Sequence, residues 1–148
     1  MIKKILVPVD GSNHARKAIG FACDLASKYD ATVYLLHVMH RSEIPKYVLE
    51  YIKAEKIEEP PKHVFLEKIG YGIIEAAQRD LREKGVKDIH SVVVEGDPAK
   101  RIIEFARDEG VDLIVMDSRG LGTIEDLFLG SVSHKVSHLA HCTCVMVK

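Results

Sequence analysis

Five short runs rich in β-branched and aliphatic residues alternate along this chain with segments whose apolar residues recur every three or four positions. Several of the runs are apolar on both alternating faces, which is typical of strands that are covered on both sides. Strands that alternate with helices pair in parallel, through right-handed crossovers. The pattern therefore predicts a doubly wound α/β domain, with a five-stranded parallel sheet and helices on both faces.

The predicted strands and helices follow one another in a regular order. The strands are residues 2–9, 31–39, 89–95, 112–116 and 142–147. The first helix follows the Asp10-Gly11-Ser12 turn, and residues 44–84 hold a short helix, a break at Pro60-Pro61 and a long helix, since proline does not fit inside a helix. Asp97 and Pro98 supply the N-cap and the first position of the next helix. The last helix begins near Gly130-Ser131.

Apolar residues at three- and four-residue spacing mark the faces that the helices are expected to bury against the sheet. In the first helix they are Ala15, Ala18, Ile19, Ala22 and Ala26. In the long helix they are Leu66, Ile69, Ile73, Ala77 and Leu81. In the last two helices they are Ile102, Ile103 and Ala106, then Val132, Val136, Leu139 and Ala140.

The composition limits the functions that are open to the chain. Its 148 residues, 47% of them hydrophobic, fit one domain that spans residues 1–148. Its 21 basic and 22 acidic residues give a net charge of -1, so we expect no nucleic-acid partner. No apolar run approaches the roughly 18 residues of a membrane span. The three cysteines form no C-x-x-C motif and fit a reducing compartment, so we expect a cytoplasmic protein without membrane attachment.

The carboxyl end of the fourth strand carries the most informative motif, because ligands of parallel sheets bind outside the carboxyl ends of the strands. Asp117-Ser118-Arg119-Gly120 is followed by nine residues and then by Gly130-Ser131 at a helix start. Free N–H groups at a helix N-terminus, next to glycines, can hold a di- or triphosphate, to which Ser131 and Arg119 add a hydroxyl and a cation. Alternatively, the glycines only turn a loop and cap a helix.

Several motifs, in their order along the chain, resemble the universal stress protein family over essentially the whole sequence. They are Ile5-Leu6-Val7-Pro8-Val9-Asp10-Gly11-Ser12, Leu36-His37-Val38, Gly96-Asp97-Pro98-Ala99, Gly130-Ser131-Val132-Ser133 and a last strand led by Cys142. The resemblance implies a sheet in the order 3-2-1-4-5, a homodimer and a role in stress survival. One branch of that family binds ATP through the motif G-x2-G-x9-G-S/T.

In that ATP motif, Gly120, Gly130 and Ser131 match the second glycine, the third glycine and the hydroxyl residue, whereas Asp117 stands in place of the first glycine. An aspartate there would weaken phosphate or ribose binding through its bulk and charge. Alternatively, it would accept a ribose hydroxyl or face a bound magnesium ion. The resemblance therefore predicts an ATP site in which Asp117 is the departure from the family pattern.

The same resemblance implies the positions of the other nucleotide contacts. Asp10 would lie near the ribose and the phosphates, and the Val38 backbone would meet the adenine edge. The remaining predicted contacts are Pro8, Val9, Ser118, Arg119 and Val132. Gly130→Val is then expected to abolish nucleotide binding and to leave a folded dimer, because a branched side chain would block the phosphate.

Three of the polar residues near this site also have structural roles that the sequence predicts. Asp10 either caps the turn before the first helix or contacts the ligand, or does both. His37 lies on a strand that is apolar on both faces, which favours a hydrogen-bonded core histidine over a ligand. Asp97 is the N-cap of the helix that follows it.

A metal site at the end of the chain is a further candidate. His134, His138 and His141 share one helical face and are followed by Cys142 and Cys144. That face lies about half a turn from the apolar stripe of the last helix, so we expect the histidines to face solvent and the cysteines to act as small buried hydrophobic residues. The sequence therefore predicts no metal site.

These features support a leading hypothesis and two alternatives. The leading hypothesis is a dimeric sensor or regulator that binds ATP, with or without magnesium, between the first and fourth strands. The first alternative is a nucleotide-free dimer that acts through protein contacts, and the second is slow ATP hydrolysis. Dimerisation is expected through the last strand, because residues 142–147 form an edge without proline or charge.

Overall fold

The computed structural model describes residues 1–40, 46–56, 62–119 and 130–148. The elements are β1 (Lys4–Pro8), α1 (Asn13–Tyr29), β2 (Thr32–Met39), α2 (Lys46–Ala54), α3 (Lys62–Glu83), β3 (Ile89–Glu95), α4 (Pro98–Asp108), β4 (Leu113–Asp117), α5 (Ser131–Leu139) and β5 (Thr143–Val147). Strands and helices therefore alternate as predicted, whereas the predicted break at Pro60-Pro61 lies outside the described residues.

The five strands form one parallel sheet in the order β3-β2-β1-β4-β5. This confirms the predicted doubly wound architecture and its strand order. β1 is central, since Leu6 pairs with Tyr34 of β2 on one side and with Ile114 of β4 on the other. The strand order reverses at β1, so the carboxyl ends of β1 and β4 form the crevice in which such sheets bind ligands.

Alternate strand residues pack into two separate cores on the two faces of the sheet. The first core joins Val7 and Leu35 to residues of α1 and α3, such as Ala18 and Leu81. The second core joins Leu6, Leu36 and Ile114 to residues of α4 and α5, among them Ile102, Ala106 and Val136. Helices therefore cover both faces, as the two-sided apolar strands predict.

Two aspartates, Asp112 and Asp88, form hydrogen bonds between neighbouring strands at the amino end of the sheet. Asp112 Oδ2 accepts hydrogen bonds of 2.9 Å from the backbone N–H groups of both Lys3 and Lys4, and these bonds lower the pKa of that carboxyl. On the other side of β1, Thr32 Oγ1 donates to Asp88 Oδ2 at 2.6 Å, and Val33 N–H donates to the Asp88 carbonyl at 2.9 Å. The strands are thus fastened together at the end of the sheet opposite the crevice.

Two residues of the predicted buried stripes are exposed, so the sequence prediction was wrong there. Ile69 is 39% exposed, because the buried face of α3 runs through Leu66, Gly70 and Ile74. Leu139 is 67% exposed at the end of α5. At about 100° per residue, Ser133 and Leu139 lie on opposite sides of Val136, and Ser133 is the one turned toward the sheet.

Candidate functional site

The turn between β1 and α1 is built by three consecutive polar or flexible residues. Asp10 Oδ1 accepts a hydrogen bond of 2.9 Å from Ser12 N–H, and Ser12 Oγ accepts one of 3.3 Å from Ala15 N–H. Gly11 adopts a φ of +83°, which favours glycine. Ser12 is therefore the N-cap of α1, and Asp10 holds the turn that precedes it.

Immediately before this turn, β1 separates from β2. Val9 N–H still donates to the Leu36 carbonyl at 2.9 Å, but the strand register ends at the pair Pro8 and Leu36. In a regular parallel ladder the next bond would join Val38 N–H to the Val9 carbonyl. The side chain of His37 takes that acceptor instead, since its Nδ1 donates to the Val9 carbonyl at 2.8 Å.

The separation leaves the backbone of Val38 facing the crevice. N–H and C=O groups of alternate strand residues point to the same neighbouring strand, and Leu36 points to β1. Val38 therefore points the same way, beyond the last ladder pair of β1. Within the described residues its N–H has no ladder acceptor on that side.

At the end of β4, short hydrogen bonds join the strand to the start of α5. Ser133 Oγ donates to the Asp117 carbonyl and Gly130 N–H donates to the Ser118 carbonyl, both at 2.7 Å. Ser118 N–H in turn donates to Val147 of β5 at 3.0 Å. Ser133 was not among the predicted site residues, because nothing in its sequence position distinguishes a tethering serine from an ordinary helix residue.

The backbones at the two ends of the segment that joins β4 to α5 are in direct contact. A Cβ atom built on Gly130 would lie 2.5 Å from the Arg119 carbonyl oxygen. The φ of Gly130 is -57°, which any residue can adopt, so the close approach alone requires glycine. In Gly130→Val, which is expected to remain a folded dimer, the added side chain would meet the protein's own backbone, so the Arg119 carbonyl would have to shift.

The first turn of α5 presents donors toward the crevice. Gly130 is the N-cap and supplies no side-chain hydrogen bond, and the first helical bond runs from His134 N–H to the Gly130 carbonyl. The N–H groups of Ser131, Val132 and Ser133 therefore have no acceptor within the helix. These groups and the exposed Ser131 hydroxyl have the chemistry of an anion site.

The predicted site residues in the described ranges gather at one edge of the sheet. Val9 and Asp10 follow Pro8, the last residue of β1, and Val38 lies near the end of β2. Ser118 and Arg119 follow Asp117, the last residue of β4, and Gly130 is the N-cap of α5, which begins with Ser131 and Val132. Gly120 lies outside the described residues. The Asp117 side chain is 6% exposed, and strand alternation places it with Leu113 and Val115 on the face that α1 covers.

Three histidines near the end of the chain lie on α5 or just after it. His134 and His138 are exposed, with ring centroids 4.6 Å apart, and His141 follows the end of the helix. Among residues 1–40, 46–56, 62–119 and 130–148, no group of three or more His, Cys, Asp or Glu side chains is arranged to hold a metal ion. Burial raises the pKa of the nearby Cys144 thiol to about 11.

None of the helices in the described ranges is both long enough and apolar enough to cross a bilayer.

Comparison with known proteins agrees with the fold and identifies the family. The model of the universal stress protein family matches residues 1–148, and the chain belongs to that family. Universal stress protein YxiE of Bacillus subtilis is 36% identical over 151 residues, with 100% of both chains covered. The solved structure of MJ0577, a universal stress protein of Methanocaldococcus jannaschii, is 31% identical, with a TM-score of 0.80 over 100% of this chain and 96% of that one.

Three other solved structures that share the fold hold adenine nucleotides. They are a universal stress protein with cAMP (23% identity, TM-score 0.70), an Arabidopsis thaliana family member with AMP (20%, 0.66) and the Archaeoglobus fulgidus universal stress protein with dAMP (18%, 0.65). Each covers at least 99% of this chain and between 91% and 98% of the solved one. At these identities the likeness extends to the fold.

Proposed function

We propose that this protein binds an adenine nucleotide, ATP in particular, between the ends of β1 and β4 and acts as a dimeric regulator in the stress response. The observation that carries the proposal is the separation of β1 from β2 after Pro8, together with the first N–H groups of α5, which have no acceptor within that helix. On one side of the crevice, the N–H and C=O groups of Val38 can bond to a base. On the other side, the first N–H groups of α5 can donate to a phosphate. The adenine nucleotides held by three structures of the same fold support this assignment.

The adenine end of the site is formed by the backbone of Val38. Its N–H and C=O groups point into the gap beyond β1, and a backbone N–H and C=O pair can donate to a ring nitrogen of adenine and accept from the exocyclic amine. Its side chain is only 8% exposed, so specificity there comes from the backbone. Guanine presents a carbonyl in place of the amine and fits this pattern poorly.

The phosphate end is formed by the start of α5. The N–H groups of Ser131 and Val132, the Ser131 hydroxyl and the helix dipole all favour an anion. Asp10 ends β1 next to this position and is the natural partner of a ribose hydroxyl. With Asp117 it also supplies the oxygen donors that magnesium prefers, so a magnesium-bound triphosphate fits the charges of the site.

The dimer is proposed to form through β5, the edge strand next to β4. Val147 accepts from Ser118, so its backbone groups face β4, and those of Cys144 and Met146 face outward. Residues 142–147 carry neither proline nor charge to protect these outward groups. Antiparallel pairing with β5 of a second copy would satisfy them and would close a two-fold dimer.

Isothermal titration calorimetry of the purified protein with AMP, ATP and GTP, each with and without magnesium, tests the proposal. We expect saturable binding of the adenine nucleotides and at least tenfold weaker binding of GTP. Mass spectrometry of small molecules released by denaturing the protein identifies any nucleotide that co-purifies. If no adenine nucleotide binds at millimolar concentration, the assignment is wrong.

A second candidate function is a nucleotide-free dimer that acts through protein contacts. The observation that favours it is Asp117, which stands in place of the first glycine of the ATP motif and brings a carboxylate to the end of β4. The same titrations distinguish the two, because this candidate predicts no heat with any nucleotide. Slow hydrolysis requires bound ATP and would appear as phosphate release.

A further inference from the structure

His37 makes a long-range contact that determines where β1 and β2 separate. Its side chain is 3% exposed, and its Nδ1 donates to the Val9 carbonyl at 2.8 Å. Strand alternation places the ring with Val33 and Leu35 in the first core, under α3. The ring is therefore both a packed core side chain and a hydrogen-bond donor to the backbone at the end of β1.

The hydrogen bond occupies the acceptor that Val38 N–H would otherwise use. If the Val9 carbonyl accepted from Val38, the ladder would continue one pair further and the Val38 backbone would be consumed within the sheet. With His37 as the donor, the buried Val9 carbonyl is satisfied and the Val38 N–H still points into the crevice. One side chain thus replaces one ladder bond.

Helix α3 holds the ring in this position through a glycine. A Cβ atom built on Gly70 would lie 2.9 Å from His37 Cδ2 and 3.1 Å from Val93 Cγ1. Gly70 is buried, so a side chain there has no outward direction in which to relax. Gly72, two residues further along the same helix, has no atom within 4 Å of its built Cβ and is exposed.

We propose that His37 is a positioning residue, seated by Gly70, that ends the β1–β2 ladder and so keeps the Val38 backbone available to the adenine ring. The proposal rests on the nucleotide site proposed above and assigns His37 no contact with the nucleotide. It concerns the adenine end alone. The start of α5, which would hold the phosphates, does not depend on the His37 ring.

Replacing His37 separates the hydrogen bond from the packing of the ring. In His37→Asn the side-chain Nδ2 can donate from nearly the position of Nδ1, whereas His37→Leu fills the core without a donor. We expect His37→Leu to lower the affinity for AMP about tenfold, equivalent to about 1.4 kcal/mol, because Val38 N–H can then donate to the Val9 carbonyl, and His37→Asn to stay within about threefold of the wild type. Circular dichroism establishes that each variant is folded.

Changing the glycine tests the same contact from the side of α3. Gly70→Ala is expected to weaken AMP binding because the added methyl group displaces the His37 ring. Gly72→Ala, the matched control, is expected to leave the affinity unchanged. In the double variant Gly70→Ala with His37→Leu, no imidazole hydrogen bond is left for the methyl group to disturb, so we expect the affinity of His37→Leu alone. A double variant whose loss equals the two single losses combined would overturn the role of the ring.

The affinity for inorganic triphosphate distinguishes a positioning role from a structural one. Triphosphate would contact only the phosphate end of the site, so its affinity would fall only if the whole site were disturbed. In His37→Leu we expect its affinity to be unchanged while that of AMP falls. If both fall together, His37 supports the whole fold and the positioning role is wrong. If the wild type binds AMP and His37→Leu binds it equally well, the positioning role alone is wrong. If the wild type binds no adenine nucleotide, the nucleotide site fails and this proposal fails with it.

Discussion

The Cβ position of Gly130 lies 2.5 Å from the carbonyl oxygen of Arg119. Together with the hydrogen bond from Gly130 N–H to the Ser118 carbonyl, this contact brings the end of β4 against the start of α5. Gly130, which matches the third glycine of the ATP motif, is therefore needed for this close backbone approach whether or not a ligand is bound. Loss of binding in a Gly130 variant would therefore reflect the disturbed backbone contact with Arg119 as well as a lost contact with phosphate.

Gly130→Ala is expected to lower the free energy of unfolding by about 1–3 kcal/mol, because the Arg119 backbone must move to admit the methyl group. Denaturant unfolding measures this change. Ser131→Ala is the control, since that exposed side chain can be removed at a cost of less than about 0.5 kcal/mol. A drop in ATP affinity for Ser131→Ala alone then reports the phosphate contact. Wild-type stability for Gly130→Ala would contradict the contact.

Asp117→Gly is expected to strengthen ATP binding by roughly tenfold to a hundredfold. A carboxylate about 5 Å from a phosphate oxygen would repel it by about 3 kcal/mol per unit charge at an effective dielectric of 20, before screening by solvent or magnesium. Asp117→Asn keeps the bulk, removes the charge and should recover part of the gain. Calorimetry measures both affinities. Weaker binding by Asp117→Gly would instead identify the carboxylate as a ligand of ribose or magnesium.

Cys144→Pro is expected to convert the proposed dimer into a monomer. The Cys144 backbone faces away from β4, so proline there removes an N–H group of the free edge and leaves the β4–β5 ladder intact. Cys144→Val is the control, because it changes the side chain and retains the N–H group. Light scattering at micromolar concentration gives the mass of each variant. A monomeric wild type would refute the dimer.

Asp112 is expected to make the stability of the domain depend on acid pH. The hydrogen bonds from Lys3 and Lys4 lower its pKa in the folded protein, so its contribution is present above the unfolded pKa of about 4 and is lost as the pH falls through the folded pKa. Asp112→Asn accepts the same bonds without the charge. We expect it to be less stable than the wild type at pH 7 and equal to it near pH 2, by thermal unfolding. A constant difference would contradict this.

Local sequence patterns predicted most of the architecture. Strand β3 has the predicted bounds, Asp97 accepts from Lys100 N–H as the N-cap of α4, and α5 starts at Ser131. These features depend on neighbours within a few residues, where capping and alternation operate. The strand order came from the family resemblance, because the apolar patterns are alike in all five strands.

Contacts between residues that are far apart in the sequence could not be predicted from such local patterns. His37 meets Val9, 28 residues away, and Gly130 meets the backbone of Arg119, which precedes it by 11 residues. His37 was expected to be a hydrogen-bonded core histidine, and it is, but its partner could be found only once the register of β1 and β2 was known. The exposure of Leu139 likewise depends on how Ser133 turns α5 toward the sheet.

At the amino end of the sheet, Asp112 and Asp88 form hydrogen bonds that join neighbouring strands. At the carboxyl end, β1 and β2 separate, and the His37 side chain replaces one ladder hydrogen bond. Backbone amides should accordingly exchange with deuterated solvent in two regimes. Those paired deep in the sheet, such as Leu36, exchange when the whole domain unfolds, whereas the Val38 amide exchanges from the native state. A nucleotide bound at this edge would slow the exchange of amides such as that of Val38 and leave the exchange of the deep sheet amides unchanged. Protection by the nucleotide would therefore be confined to the carboxyl end of β2.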